Sequence, residues 1–391
     1  MRNVERINGF DALRTIAMWL GIVLHSIIVY KVIPEPNWPH DPQMNLYFLD
    51  WLYAYIHIFR MPIFFLVAGF FGRLVILRSG LVYFIRQRFK RIVVPFILGV
   101  ILIVPITLLP FHFYENYYVQ NLTFDNAWHT SLLQMFKLNG LAHLWFLYYL
   151  IFFYAFSLIA RYIIIKLQIN FAEKWQHTIA NISLLKLLIV AIILFLILFI
   201  YQVSMLPVYT GIKPNALYLL YYGLFYTCGW LIQINMKSVG SLNKNCWPLF
   251  IIGTALSVLK FWKEDSFIPS VDYLITSIQT ISLVAGITGL FMKYFHAENK
   301  IWRYFSDAAY WVYLIHLCIV SALQVALLNS PVIPWLRLPI VLIVTFSLSL
   351  LSYHFFVRST IIGEYLHGKR EKRVRSRESG VRSQKSIVDG Q

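Results

Sequence analysis

Charge is what this sequence has least of. Only 13% of its 391 residues are Asp, Glu, Lys or Arg, while 59% are hydrophobic and the mean hydropathy is +0.65. Soluble domains carry about a quarter of their residues charged, so a soluble globular fold is excluded. Cysteine is equally scarce. Cys228, Cys246 and Cys318 stand far apart, with no C-x-x-C pair to build a zinc site or a disulfide framework. The chain also lacks a G-x-S-x-G elbow, an H-E-x-x-H zinc helix, a G-x-x-x-x-G-K phosphate loop and a G-x-G-x-x-G fingerprint. No histidine has Asp five residues on, which removes the H-x4-D box of phospholipid acyltransferases that work at a soluble face. Nor is there a repeat of 20–50 residues, or an inverted pair of Gly/Pro-broken spans of the kind transporters use.

What stands in their place is a series of long apolar runs. Ten of them, near 12–33, 48–72, 92–112, 141–160, 182–204, 215–235, 246–262, 271–292, 303–328 and 335–357, have the length of a membrane-crossing helix. Lipid admits only helices or closed barrels, and these runs are too long and too uniformly apolar for barrel strands. The expected fold is all-α: a polytopic membrane protein of about ten transmembrane helices. Residues 1–360 form the transmembrane domain and 361–391 a basic, disordered tail. The first run is expected to stay as a span, because "VYKVIPEPNW" after it offers no small-residue cleavage site.

The net charge of +17 follows from this topology. With the N-terminus inside, 27 of the 34 Lys and Arg fall in cytoplasmic segments, which places both termini in the cytoplasm. No nucleic-acid partner is implied. Membrane lipids are the expected neighbours, with the tail either solvated or resting on anionic headgroups. The opposite side carries two loops, "PEPNWPHDPQMN" and "FHFYENYYVQNLTFDNAWHTSLLQMFKLNG", rich in aromatics, amides and histidines. Such loops suit carbohydrate stacking, although any interface belt has a similar composition.

The informative residues are the polar ones that hydrocarbon disfavours. From Arg14 to His25 the chain climbs about 16 Å of helix and returns to within about 20° of the same face. Gly21 lies on that stripe, and Asp11 can pair with Arg14 at i, i+3. Measured from the inner ends of their spans, Tyr313 lies about 15 Å deep, Arg60 and His316 about 20 Å, His57 about 24 Å and His143 about 27 Å. Singly, a buried histidine is most simply a packing residue, and Arg60 can tie helices to backbone carbonyls. In register they form a ladder across the membrane and mark a functional cavity. Histidine is then the available general base, since burial favours the neutral imidazole that accepts a proton. His25 is expected to take the proton of a sugar or lipid hydroxyl as its oxygen attacks an activated acyl group. Arg14 would hold a phosphate or the charged end of the donor. The same ladder also fits a transporter that relays protons or anions. A non-catalytic scaffold fits less well, because it leaves the shared face of Arg14 and His25 unexplained.

Five segments carry a resemblance. "RTIAMWLGIVLH" looks like the R-x10-H motif of the membrane acyltransferase family 3. "FRMPIFFLVAGFF" is similar to its FF-x-x-S-G-[FY] segment, with Ala68 in place of the serine. "RQRFKRIVVPF", "HLWFLYYL" and "SDAAYWVYLIH" resemble its basic loop, its H/Q-L-W-[FY]-L signature and its S-x-x-x-Y-x-x-Y-L-x-H segment, in the family's order. "IHIFRMPIFF" and "FFVRSTIIGEYLHGK" look most like the branch that succinylates periplasmic glucans. The resemblance implies an inner-membrane acyltransferase with ten core spans and a cytoplasmic acyl-CoA donor. It implies a glycan or lipid acceptor on the far side, no metal and no tightly bound cofactor. His25 would be the catalytic base and Arg14 its partner or donor-binding group. Asp11, His57, Arg60, His143, Trp145, Tyr313 and His316 would line the substrate site. Arg73, Arg86, Arg88 and Arg91 are candidates for the CoA headgroup, whose pantetheine arm would thread between the first two spans.

Overall fold

A backbone surrounded by hydrocarbon has only its own amides to bond to, and the chain answers with helices. The structure, a computed structural model, describes residues 8–137, 140–169, 176–177, 182–235, 237–263, 267–295 and 299–367. Among these residues there is no strand. The helices run in order as α1 (Asn8–Tyr30), α2 (Tyr47–Ser79), α3 (Leu81–Val119), α4 (Phe124–Gln134), α5 (Ala142–Lys166), α6 (Leu184–Tyr201) and α7 (Ala216–Ile232). They continue as α8 (Lys237–Lys244), α9 (Cys246–Trp262), α10 (Pro269–Tyr294), α11 (Lys300–Leu327), α12 (Pro334–Val357) and α13 (Ile361–His367).

Eight of these helices are long and apolar enough to cross a membrane, and α7 and α9 are apolar but shorter, at 17 residues each. Each of the ten expected runs falls on one of them. The chain is a polytopic helical membrane protein. Of the tail expected over 361–391, Ile361–His367 is helical with Leu366 buried, and 368–391 lie outside the described residues, as do 1–7.

Helix α1 is central, touching α2, α10, α11 and α12. The outer helices keep apolar side chains uncovered, as with Leu185, Ile189, Ile193 and Ile200 along α6. A soluble surface does not tolerate such a stripe, whereas lipid covers it. Helices α2 and α7 cross at backbone contact. A Cβ on Gly69 would overlap the carbonyl of Tyr226, and one on Gly229 that of Leu66, the small-residue packing typical of membrane helices.

Helix α3 is longer than the expected 92–112 and is broken by π-helical turns at Phe89–Val93, Gly99–Ile103 and Glu115–Val119. Prolines follow the first two. Pro95 has no N–H for the carbonyl of Arg91 four residues back, and the Tyr310 hydroxyl donates to that carbonyl at 2.7 Å. A local irregularity thus becomes a tie between α3 and α11.

The segment between α1 and α2 folds back onto its end of the bundle. Asp41 N–H donates to the Val29 carbonyl and Leu46 N–H to that of Tyr30. Arg337, near the start of α12, is buried there and donates through Nη1 to Asp41 Oδ2 at 2.7 Å. It also donates to Gln43 Oε1 and to the carbonyls of Ser330 and Val332.

Candidate active site

The polar ladder closes into one place. His25, His57, Arg60, His143, Trp145, Tyr313 and His316 share a cavity of about 40 Å³ between α1, α2, α5 and α11. The rings of His25 and His143 lie 5.4 Å and 5.3 Å from that of His316, centre to centre. Gly21 makes the arrangement fit: a Cβ there would overlap Nη1 of Arg60.

Three of the four imidazoles are committed to the backbone. A carbonyl only accepts, so His143 donates through Nε2 to the Leu314 carbonyl (3.0 Å) and His57 through Nε2 to that of Leu206 (3.0 Å). His316 donates through Nδ1 to the Tyr313 carbonyl (2.8 Å), leaving Nε2 as an acceptor without a partner. Tyr313 in turn donates its hydroxyl to the His143 carbonyl at 2.7 Å and locks α11 to α5. His25 differs. Its Nδ1 is buried with no hydrogen-bond partner, and packing holds the ring. Trp38 stacks on it at 5.7 Å and 11°. The indole N–H donates to Gln324 Oε1 (3.3 Å), and Gln324 Nε2 donates to the carbonyls of His25 and Ser26. Arg60 Nε is likewise buried without a partner. Among the described residues, no group of three His, Cys, Asp or Glu is arranged to hold a metal ion.

Two larger chambers flank this cavity. One, of about 500 Å³, lies at the end holding the start of α1. Arg14, Arg88 and Arg91 line it against Asp11 and Asp307. Arg14 donates to Ser306 Oγ at 2.9 Å and pairs with Asp11 at 3.3 Å. Arg88 lies over the rings of Tyr154 (4.7 Å) and Phe84 (5.2 Å). Met18, Phe64 and Phe146 line both this chamber and the histidine cavity, forming the wall between them. The second chamber, about 790 Å³, lies at the opposite end, among the 31–36 segment, the start of α2, the ends of α6 and α9 and the start of α10.

Several expected placements differ. Asp11 sits with Arg14 in the first chamber, away from the histidine cavity. Arg73 and Arg86 do not line that chamber: Arg73 donates to Gln233 Oε1 at 2.8 Å, and Arg86 is exposed. Arg73 is two residues from both Phe71 and Val75, which line the chamber, a step of about 200° around a helix that points it the other way. The chamber is walled by α3, α5 and α11 as well as α1 and α2, so it is wider than a seam between two spans. Ala68 faces it, while the close helix packing belongs to Gly69. Trp38 and Gln324 escaped the sequence reading. The aromatic loop was a signal for Trp38, but its return onto His25 is tertiary. Nothing marked Gln324.

An acyltransferase domain, that of family 3, matches residues 7–354. The chain belongs to this family. The protein is an acyltransferase, and the family match sets aside the relay transporter. Similar proteins bear the name glucans biosynthesis protein C. The one from Shigella dysenteriae serotype 1 is 22% identical over 381 residues, covering 93% of this chain and 95% of the relative. That of Escherichia coli K12 has the same identity and coverage. The protein of Salmonella typhi is 24% identical over 330 residues, 78% of this chain and 80% of its own. No solved structure matches.

Proposed function

We propose that this acyltransferase of family 3 moves a short acyl group, acetyl or succinyl, from cytoplasmic acyl-CoA to a hydroxyl of an extracytoplasmic glycan or glycolipid. In this reading ten helices cross the inner membrane, with both termini in the cytoplasm. Residues 1–360 act as one domain and 361–391 as a basic tail. Acyl-CoA is a substrate, and no tightly bound cofactor is invoked.

One observation carries the proposal: His25, whose buried Nδ1 has no hydrogen-bond partner among the described residues, stands between a basic chamber and a chamber at the other end. Arg14, Arg88 and Arg91 offer the first chamber's positive charge to CoA phosphates. The acyl end then parts Met18, Phe64 and Phe146, of which methionine is the most compliant. The acceptor oxygen attacks the thioester carbonyl and its proton passes to His25. The tetrahedral intermediate expels the CoA thiolate, which takes the acceptor's proton from His25 and leaves as the thiol. Among the described residues Arg60 has no acidic partner, so its charge is available to the developing oxyanion or to the free carboxylate of a succinyl group. The relatives' name supports a glucan as the acceptor.

Radiolabelled acyl-CoA, purified protein and candidate glycans test this directly. Transfer of label to the glycan is expected, with His25→Ala lowering it by about 10²–10⁴-fold, the usual worth of a general base. His25→Ala protein that is folded and transfers at the normal rate overturns the mechanism.

A further inference from the structure

The chamber remote from Arg14 has a chemistry of its own, and we propose that it binds the acceptor as an uncharged oligosaccharide segment. The inference rests on the transfer reading above and adds the site and the charge class of the acceptor. At about 790 Å³ the chamber lies within the usual size range of a ligand site.

Its charges cancel. Lys31, Lys260 and Lys263 face Glu35, Asp50 and Asp272. Lys31 pairs with Glu35 and Lys260 with Asp272, each at 2.8 Å. Asp50 accepts the backbone N–H groups of Val32 (2.8 Å) and Ile33 (3.1 Å). The chamber around Arg14 is built differently, with three arginines against two carboxylates. A phosphate-bearing acceptor would need such an excess of cations. A polyol needs fixed donors and acceptors in balance, and the paired ions supply both. Aromatic rings complete the recognition. Trp51 on α2, Phe261 on α9 and Tyr273 on α10 line the same space, offering apolar faces to the C–H faces of sugar rings. A lipid tail would find little use for two ionic pairs and two further charged side chains at its walls.

The chamber also leads to the site. Tyr53 lines it, and stacks at 5.6 Å and 26° on His57, which lines the His25 cavity. One aromatic pair therefore separates the chamber from the reacting histidine. On the other flank Trp38 covers the His25 ring and is itself backed by Phe111, 4.8 Å away. A hydroxyl arriving from the chamber thus has a defined approach.

The test uses full-length protein in detergent, with a neutral gluco-oligosaccharide and the same oligosaccharide carrying a phosphate ester. Equilibrium dialysis without donor measures binding, and label transfer measures KM for each substrate. Trp51→Ala and Phe261→Ala, on separate helices, should each weaken neutral-oligosaccharide binding and raise acceptor KM by roughly tenfold, about the effect of 1.4 kcal/mol. Donor KM should stay unchanged, and the phosphorylated probe should bind no more tightly. Should one variant fail to fold, the other carries the test. Unaltered acceptor binding in the folded variants, a shift in donor KM instead, or preference for the phosphorylated probe overturns the assignment. Wild-type protein that binds the oligosaccharide but moves no label refutes the transfer reading and not the chamber.

Discussion

Exchanging Asp41 for asparagine should destabilise the protein and silence it together. Arg337 and Asp41 are 2% and 1% exposed, with 2.7 Å between their polar atoms. Asparagine keeps the shape and one acceptor but removes the charge. Arg337 is then a buried cation facing only neutral acceptors. Taking one partner from a buried pair costs about 3–5 kcal/mol, and the acceptors that Arg337 retains place this case near 3 kcal/mol, at the lower end of that span. The consequence reaches the site because the same segment lays Trp38 on His25. Thermal unfolding in detergent, with acyl transfer assayed well below the transition, should show a lowered melting temperature and reduced transfer. Asp41→Leu combined with Arg337→Met should recover melting, since an apolar replacement of a buried pair is often neutral or stabilising. Asp41→Asn protein as stable as wild type, or a double variant weaker than Asp41→Leu alone, refutes the reasoning.

Other substitutions separate the parts of the site. Gly21→Ala should fold, because its methyl meets the flexible end of Arg60, yet transfer should fall by about tenfold or more, the cost of about 1.4 kcal/mol of misplaced charge in the barrier; a normal rate would separate Arg60 from the chemistry. Trp38→Ala should admit water beside His25 and raise the ratio of free acyl acid to acylated acceptor, and an unchanged ratio counts against the covering role. Arg88→Ala should raise donor KM while Arg86→Ala leaves it alone. Equal effects in the two arginine variants would contradict the chamber's lining.

Helical periodicity reads well where contacts are set along one helix, and the stripe from Arg14 through Gly21 to His25 was legible for that reason. Depth was legible too, because rise per residue is nearly constant inside a span, and this brought His316 and Arg60 to the level of His25 while setting His57 and His143 above them; the closeness of His143 to His316 was not legible. Two kinds of feature stayed hidden. Arg73 and Arg86 were grouped with Arg88 by charge and proximity in sequence, but Arg73 lies on the opposite face of α2 from Phe71 and Val75 and bonds Gln233, and Arg86 is exposed. The second kind depends on chain segments meeting across the fold. The stack of Trp38 on His25, the Asp41–Arg337 pair and the bond from Tyr310 to Arg91 each join residues more than ten positions apart, and no local pattern announces them. The π-helical turns of α3 fall between: the prolines were visible, while the π turns beside them were not.

The middle space of the three is the narrowest, about 40 Å³ against 500 and 790 Å³ on either side, with room for no more than about three waters. Met18, Phe64 and Phe146 shut one of its faces, and Tyr53 on His57 stands at the other. On the proposed transfer, what crosses this constriction is an acyl fragment handed from one molecule to another, so that a surface could be decorated with no wide channel joining the two chambers.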